Sequence, residues 1–167
     1  MLLLVSDANI LIDMEIGELT APMFSLDCQF AVPDVLYYDE LEAQHAHLLN
    51  LGLQVRRLPS AGVARVEKLS QRHKRPGRND LFALALAEAE HCPLLTGDAD
   101  LRKAAEAEQV EVKGTVWLIT EMVRQQRITV AVARAALRTM QTNGRRLPWA
   151  IAEQKLKELE AAPHADN

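Results

Sequence analysis

The sequence predicts an α/β fold in three layers, with a central parallel sheet of four to five strands between helices and extra helices at the C-terminal end. Two observations lead to this prediction. Over residues 1–112, short apolar runs alternate with longer stretches of helical periodicity, which is typical of parallel strands joined by crossover helices. Beyond residue 112 the pattern is helical only. The 167 residues, 49% of them apolar, suffice for one core of this kind.

Proline, glycine and capping residues place the ends of the predicted elements. Pro33 ends the second strand and Gly52 ends the helix that follows it. Asn79 is a suitable N-cap for the alanine-rich helix after it, which can pack closely on the sheet. The predicted strands are 2–6, 29–32, 53–58, 94–96 and 110–112, and the predicted helices are 9–19, 34–50, 60–73, 80–90, 100–108, 115–125, 129–141 and 148–161.

Charge is distributed unevenly along the chain, although its net value is only −4. Residues 1–55 hold nine acids and no Lys or Arg, whereas residues 56–78 hold eight basic residues against one acid. Residues 124–146 hold six arginines and no acid. An acidic centre between basic segments suits a metal site beside a groove for a polyanion. Each basic stretch is equally compatible with an ordinary solvated helix face.

Four carboxylates fall where predicted strands end or predicted helices begin. Asp7 follows the first strand and Asp98 follows the fourth, while Glu40 and Asp80 lie near the starts of two helices. Ligands of an open parallel sheet bind beyond the carboxyl ends of its strands, so we expect these side chains to face one crevice. Like charges in close contact raise one another's pKa, and a divalent cation removes that repulsion.

An all-oxygen ligand set of this kind suits Mg²⁺ or Mn²⁺. Three or four acids can hold one ion tightly and a second ion more weakly, an arrangement that activates water and stabilises the leaving oxygen of a phosphodiester. Near these acids, Asn9 is expected to orient Asp7 or cap the helix. Thr96 is expected to hydrogen-bond a neighbouring carboxylate, Gly97 to permit a sharp turn, and Asp100 to serve as a further ligand.

Purely structural roles compete with these assignments. Asp7 taken alone also has an N-cap role as an alternative, and so has Asp100. Glu42 lies two residues beyond Glu40, so only one of the two should face the site.

Three other residues of the acidic third are expected to have no part in the site. Asp13 falls on the first predicted helix and is expected at the surface. His45 and His47, two residues apart on a predicted helix, cannot share a face of it and are expected to be ordinary surface histidines.

The ordered set of motifs resembles the PIN domain, a family that includes the VapC-type ribonuclease toxins of bacterial toxin–antitoxin pairs. Each motif is weak alone, whereas the ordered set is fairly specific. The resemblance spans about residues 2–125 and rests on Asp7-x-Asn9, Glu40-Leu41, Asp80 followed by Leu81-Phe82-Ala83-Leu84-Ala85, and Thr96-Gly97-Asp98-Ala99-Asp100-Leu101.

This resemblance implies an endoribonuclease that uses one or two Mg²⁺ or Mn²⁺ ions to hydrolyse RNA phosphodiester bonds. It implies catalytic and metal-binding roles for Asp7, Glu40, Asp80 and Asp98, an accessory metal role for Asp100, and supporting roles for Asn9 and Thr96.

The resemblance also implies a homodimer that a cognate antitoxin protein holds inactive. The nuclease domain would span residues 1–125, with residues 126–162 as a helical extension of the same domain and residues 163–167 as a disordered tail. Arginines in two basic loops are candidates for RNA contact: Arg75, Arg78, Arg145 and Arg146.

Other functional classes fit the sequence less well. A haloacid-dehalogenase-type phosphatase requires an acid where Asn9 stands, and a receiver domain requires a phosphoacceptor where Arg56-Arg57 stand. The main alternative is a catalytically inactive PIN-like module that binds RNA or a protein. No apolar run approaches the roughly 20 residues that span a bilayer, and we expect a cytoplasmic protein.

Overall fold

A five-stranded sheet, with every strand parallel to its neighbours, forms the centre of the computed structural model, which describes residues 1–162. The predicted tail, 163–167, lies outside the described residues. The sheet confirms the predicted α/β fold. Its strands are β1 (Leu2–Ser6), β2 (Cys28–Pro33), β3 (Gln54–Arg56), β4 (Leu94–Leu95) and β5 (Val112–Lys113), in the order β3-β2-β1-β4-β5.

Strand β1 occupies the middle of the sheet because its second half is apolar on both faces. Leu4 and Val5 are fully buried, as a strand covered by helices on both sides requires. From β1 the chain builds outward through β2 and β3, and then returns to the other side of β1 to form β4 and β5. The direction of winding therefore reverses between β1 and β4.

Helices cover both faces of the sheet. The longest buried stretch, residues 81–87, belongs to α7, which packs against β1, β2 and β4. The short helix α2 was not among the predicted elements. The helices are α1 (Ala8–Ile16), α2 (Thr20–Phe24), α3 (Asp34–Leu36), α4 (Glu42–His45), α5 (Leu48–Leu51), α6 (Ser60–Arg72), α7 (Arg78–Ala89), α8 (Ala99–Ala107), α9 (Thr115–Arg124), α10 (Val130–Thr142) and α11 (Trp149–Ala161).

The segment predicted as one helix over residues 34–50 is broken into shorter pieces. A π-helical turn, Tyr37–Leu41, separates α3 from α4, and a turn at residues 46–47 separates α4 from α5. Each turn of a π-helix spans about one residue more than that of an α-helix, so residues five apart share a face. Leu36 and Leu41 are accordingly both fully buried.

The C-terminal helix α10 packs directly on α1. A β-carbon added to Gly17, at the end of α1, would lie 2.5 Å from Met140 Cε and 3.3 Å from Ala136 Cβ on α10. The absence of a side chain at Gly17 therefore permits this close approach. Within residues 1–162, none of the helices combines the length and apolar character that a bilayer crossing requires.

Candidate metal centre

The reversal of winding between β1 and β4 places two acidic segments side by side. Asp7 immediately follows β1, and Thr96-Gly97-Asp98 immediately follows β4. The backbone N–H of Asp7 donates to the carbonyl of Leu95 at 3.0 Å, which fixes the two segments at their carboxyl ends. In open α/β sheets this edge is the usual place for a ligand.

Asp7 is buried, and both of its carboxylate oxygens accept hydrogen bonds. Oδ1 accepts from the backbone N–H of Ile10 at 2.9 Å, so Asp7 is the N-cap of α1, and Oδ2 accepts from Thr96 Oγ1 at 2.6 Å. Burial raises the pKa of Asp7 to about 6; the two hydrogen bonds oppose this rise, and the charges of Asp80 and Asp13 add to it. The N-cap role considered for Asp7 is therefore confirmed, and the two hydrogen bonds hold its carboxylate in a fixed orientation.

Thr96 connects Asp7 to the second acidic segment. Besides donating to Asp7, its hydroxyl oxygen accepts the backbone N–H of Asp98 at 3.0 Å. Asp98 is exposed and caps α8, since its Oδ1 accepts from the N–H of Leu101 at 2.8 Å. The hydrogen bond predicted between Thr96 and a neighbouring carboxylate is thus present. The N-cap alternative considered for Asp100 is wrong, because Asp98 occupies that position.

Glu40 lies beside the start of α7, the helix that carries Asp80 in its first turn. The helix begins two residues earlier than predicted: its N-cap is Gly77 rather than Asn79, and the Gly77 N–H donates to Asp80 Oδ2 at 3.1 Å. The side chain of Asn79 instead donates to Glu40 Oε2 at 3.2 Å. Burial raises the pKa of Asp80, the Gly77 bond lowers it, and the charges of Asp98 and Glu40 raise it further.

These electrostatic couplings link the four predicted acids into one set. Asp7 is coupled to Asp80, and Asp80 is coupled to Asp98 and Glu40, whereas Glu42 does not enter these couplings. Within residues 1–162, no three Asp, Glu, His or Cys side chains converge closely enough to form a metal cage. Because like charges repel, these carboxylates do not approach one another closely without a cation between them. Their shared edge and all-oxygen chemistry fit a hard divalent cation.

Two of the predicted RNA-binding residues lie near the predicted accessory ligand Asp100 and the start of α7. Arg75 is 83% exposed, with Nη1 3.9 Å from Asp100 Oδ1, and Arg78 lies over the ring of Phe82 with its guanidinium carbon 5.2 Å from the ring centroid. Lys103, which the sequence did not single out, joins Lys74 and Arg75 around a groove beside Asp100. We name Lys74, Arg75 and Lys103 the basic groove.

Gly97, expected to permit a sharp turn, does not adopt a backbone conformation that favours glycine. Its φ is not positive, and a β-carbon added there would meet no atom within 4 Å. The turn after β4 therefore does not itself require glycine, and the position instead leaves open space beside Asp98.

Arg145 and Asn9 form a contact that the sequence did not predict. Arg145 Nε donates to Asp13 Oδ1 at 2.5 Å, and its Nη2 donates to Asn9 Oδ1 at 3.3 Å. Asn9 therefore contacts Arg145 rather than capping the helix. The expectation of a surface position for Asp13 was wrong: only 6% of the residue is exposed. Its position on the apolar face, three residues from Ile10, was the available signal. Arg146 remains exposed.

His45 and His47 converge on a single residue, contrary to the expectation that they point in different directions. Nδ1 of His45 hydrogen-bonds one carboxylate oxygen of Glu15, while His47 lies against the other oxygen without hydrogen-bond alignment. The argument from helical spacing fails because α4 ends at His45 and the chain turns before α5. Glu15 thereby links α1 to the segment that carries Glu40.

Comparisons with known proteins identify similar sequences and structures. A sequence model of a family described as the PIN domain matches residues 3–161. No curated protein matches the chain. Among solved structures, the crystal structure of VapBC2 from Rickettsia felis bound to a DNA fragment from their promoter contains a similar chain. It has 14% sequence identity and a TM-score of 0.48, and the match covers 68% of this chain and 98% of that one.

Proposed function

This chain belongs to the PIN-domain family, and on that premise we propose that it is a divalent-metal-dependent endoribonuclease. The observation that carries the proposal is the coupled set of Asp7, Glu40, Asp80 and Asp98 at one edge of the sheet. Nuclease activity is the usual function of the family, and the metal requirement and the choice of RNA as substrate are our inference from the acids and the basic surface beside them.

The proposed chemistry divides between the cation and the protein. When bound, Mg²⁺ or Mn²⁺ supplies the positive charge that lowers the pKa of water and neutralises phosphate oxygens. The protein holds the carboxylates in fixed directions: Thr96 and the start of α1 orient Asp7, Leu101 orients Asp98, and Gly77 orients Asp80. Asp100, two residues after Asp98, is proposed as an accessory ligand of the cation. No covalent intermediate on a side chain is required.

The RNA strand is proposed to reach the acids along the basic groove. The groove lies beside Asp100, two residues beyond Asp98, and its cations can contact phosphates on either side of the cleaved bond. Arg78, held over Phe82 one turn before the buried part of α7, is placed next to Asp80 and can contact a base or a phosphate.

The proposal is tested by RNA cleavage with the purified chain. We expect labelled single-stranded RNA to be cut in the presence of Mn²⁺ or Mg²⁺ and to remain intact with EDTA. Asp7→Asn combined with Asp98→Asn should lower the rate at least a hundredfold, because each change removes a ligand charge. Glu40→Gln should be inactive, whereas Glu42→Gln, the matched control two residues away, should retain activity.

The same assay distinguishes the nuclease from the alternative, a catalytically inactive binding module. RNA binding without cleavage under every metal condition would overturn the nuclease proposal in favour of an inactive binding module. Equal activity of Glu40→Gln and wild type, with loss in Glu42→Gln, would overturn the assignment of Glu40 while leaving the nuclease proposal intact.

We further propose that the chain is the toxin of a type II toxin–antitoxin pair and forms a homodimer. This proposal is supported by the order of its motifs, which is similar to that of VapC-type toxins. Induced expression should arrest bacterial growth, and the Asp7→Asn, Asp98→Asn variant should not. Coexpression of a small protein encoded beside the gene should restore growth. Light scattering after gel filtration should give twice the monomer mass of 18.6 kDa.

A further inference from the structure

The C-terminal extension contributes a side chain to the neighbourhood of the candidate metal centre. Arg145 lies in the loop between α10 and α11, more than 130 positions from the residues it contacts. Its guanidinium reaches Asp13 and Asn9, which lie one turn apart on α1. Asp7 is the N-cap of that same helix, two residues before Asn9.

The contact between Arg145 and Asp13 is a largely buried ion pair rather than a surface ion pair. Asp13 is buried, and 26% of the Arg145 side chain is exposed. A buried carboxylate without a partner is costly, and breaking such a pair destabilises a protein strongly. Arg145 differs in this from Arg138 on α10, an arginine of the same extension that is exposed and has no ion-pair partner within residues 1–162.

Two donor atoms of Arg145, Nε and Nη2, bind different residues of α1. The Nε bond compensates the charge of Asp13, which is buried. The Nη2 bond restrains Asn9 at the exposed side of the first turn of α1. A lysine has a single charged nitrogen without this planar fork, so it cannot reproduce both contacts in the same geometry.

We propose that Arg145 is a positioning residue of the metal centre: through Asn9 and Asp13 it fixes the first turns of α1, and so the direction in which Asp7 presents its carboxylate to a cation. The inference rests on the proposed nuclease function. It gives the extension beyond residue 125 a role in the site, although the four acids all lie before it.

Two variants separate positioning from simple stabilisation. Arg145→Met alone leaves Asp13 buried without a partner and is expected to unfold more easily. The double variant Asp13→Leu, Arg145→Met removes the whole ion pair and should recover most of the melting temperature, because a buried pair can be replaced by apolar groups with little loss. It does not restore the contact to Asn9. Arg138→Met is the matched control from the same extension.

The double variant should have a kcat for single-stranded RNA at least tenfold below wild type, with KM changed less than twofold. A second measurement does not depend on catalysis: the Mn²⁺ concentration that produces half of the metal-induced rise in melting temperature should increase at least fivefold. Arg138→Met should match wild type in both measurements.

The outcomes distinguish this inference from the proposed function. If wild type cleaves RNA and the double variant matches it in kcat and in Mn²⁺ response, Arg145 is only a stabilising residue and the inference is overturned. If wild type neither cleaves RNA nor responds to Mn²⁺, the proposed function itself fails and the inference falls with it.

Discussion

The hydroxyl of Thr96 donates a hydrogen bond of 2.6 Å to Asp7 Oδ2, and so joins two residues that are 89 positions apart in the chain. The same oxygen accepts the backbone N–H of Asp98. One fully buried hydroxyl therefore sets the relative position of two candidate metal ligands on neighbouring strands. This arrangement depends on the reversal of winding between β1 and β4, which brings their carboxyl ends together.

Replacing Thr96 tests that connection. Thr96→Val keeps the shape of the side chain but leaves a buried carboxylate oxygen and a backbone N–H without partners, and should lower the free energy of unfolding by about 1–3 kcal/mol. Thr96→Ser retains the hydroxyl and should cost less. Urea denaturation of both variants, in EDTA, makes the comparison. Equal destabilisation by Val and Ser would mean that packing, not the hydrogen bond, matters at this position.

Asp7 should make stability depend on pH. Its pKa in the folded protein is about 6 against a usual 3.8, so between these values the folded state holds a proton that the unfolded state has lost. Stability therefore falls as pH rises through this window, by about 3 kcal/mol in full. Asp7→Asn cannot ionise, so its stability relative to wild type should increase from pH 4 to pH 6 and then level off. Urea denaturation across this range in EDTA should find that trend; a constant difference would contradict it.

Glu15 is expected to hold the Glu40 segment against α1. Glu15→Gln removes the charge that His45 and His47 face, and should lower the free energy of unfolding by about 1–3 kcal/mol. Glu18→Gln is the control, since Glu18 is an exposed acid just beyond α1. Thermal unfolding of both at pH 6 measures the difference. Equal melting temperatures of the two variants would contradict the role assigned to Glu15.

The basic groove should appear as salt dependence of RNA binding. Arg75→Ala and Lys103→Ala each remove one cation, and each should weaken RNA binding and reduce the slope of log K against log salt by about 0.7, the value for a single-strand phosphate contact. Binding is measured by fluorescence anisotropy with the Asp7→Asn, Asp98→Asn variant, which does not cut the probe. An unchanged slope in both variants would place the RNA elsewhere.

Much of the fold could be predicted because apolar runs mark the strands and turn residues mark where the strands and helices end. The runs at residues 2–6 and 94–96 became β1 and β4, and their ends fixed the edge at which Asp7 and Asp98 meet. The assignment of four acids to one edge needed only the rule for parallel sheets, and so it did not depend on exact boundaries. The catalytic roles of these acids remain predictions.

What could not be predicted depends on contacts between distant segments or on local irregularity. The ion pair of Asp13 with Arg145 joins opposite ends of the chain, and nothing in either local sequence specifies the other. The helix predicted over residues 34–50 is interrupted by a turn at residues 46–47, so reasoning from a regular helix placed His45 and His47 on separate faces. Asn79 was predicted as a cap by its type, but Gly77 and Asp80 perform that task.

The position of β1 at the middle of the sheet has a consequence for synthesis on the ribosome. Asp7 emerges before the partner strand β4 and Thr96, which follow almost ninety residues later, and Arg145 emerges later still. Until then the nascent chain has no neighbour for one side of its central strand, and a truncated product lacks part of the acidic set. The set of four acids is therefore complete only after Asp98 has been synthesised.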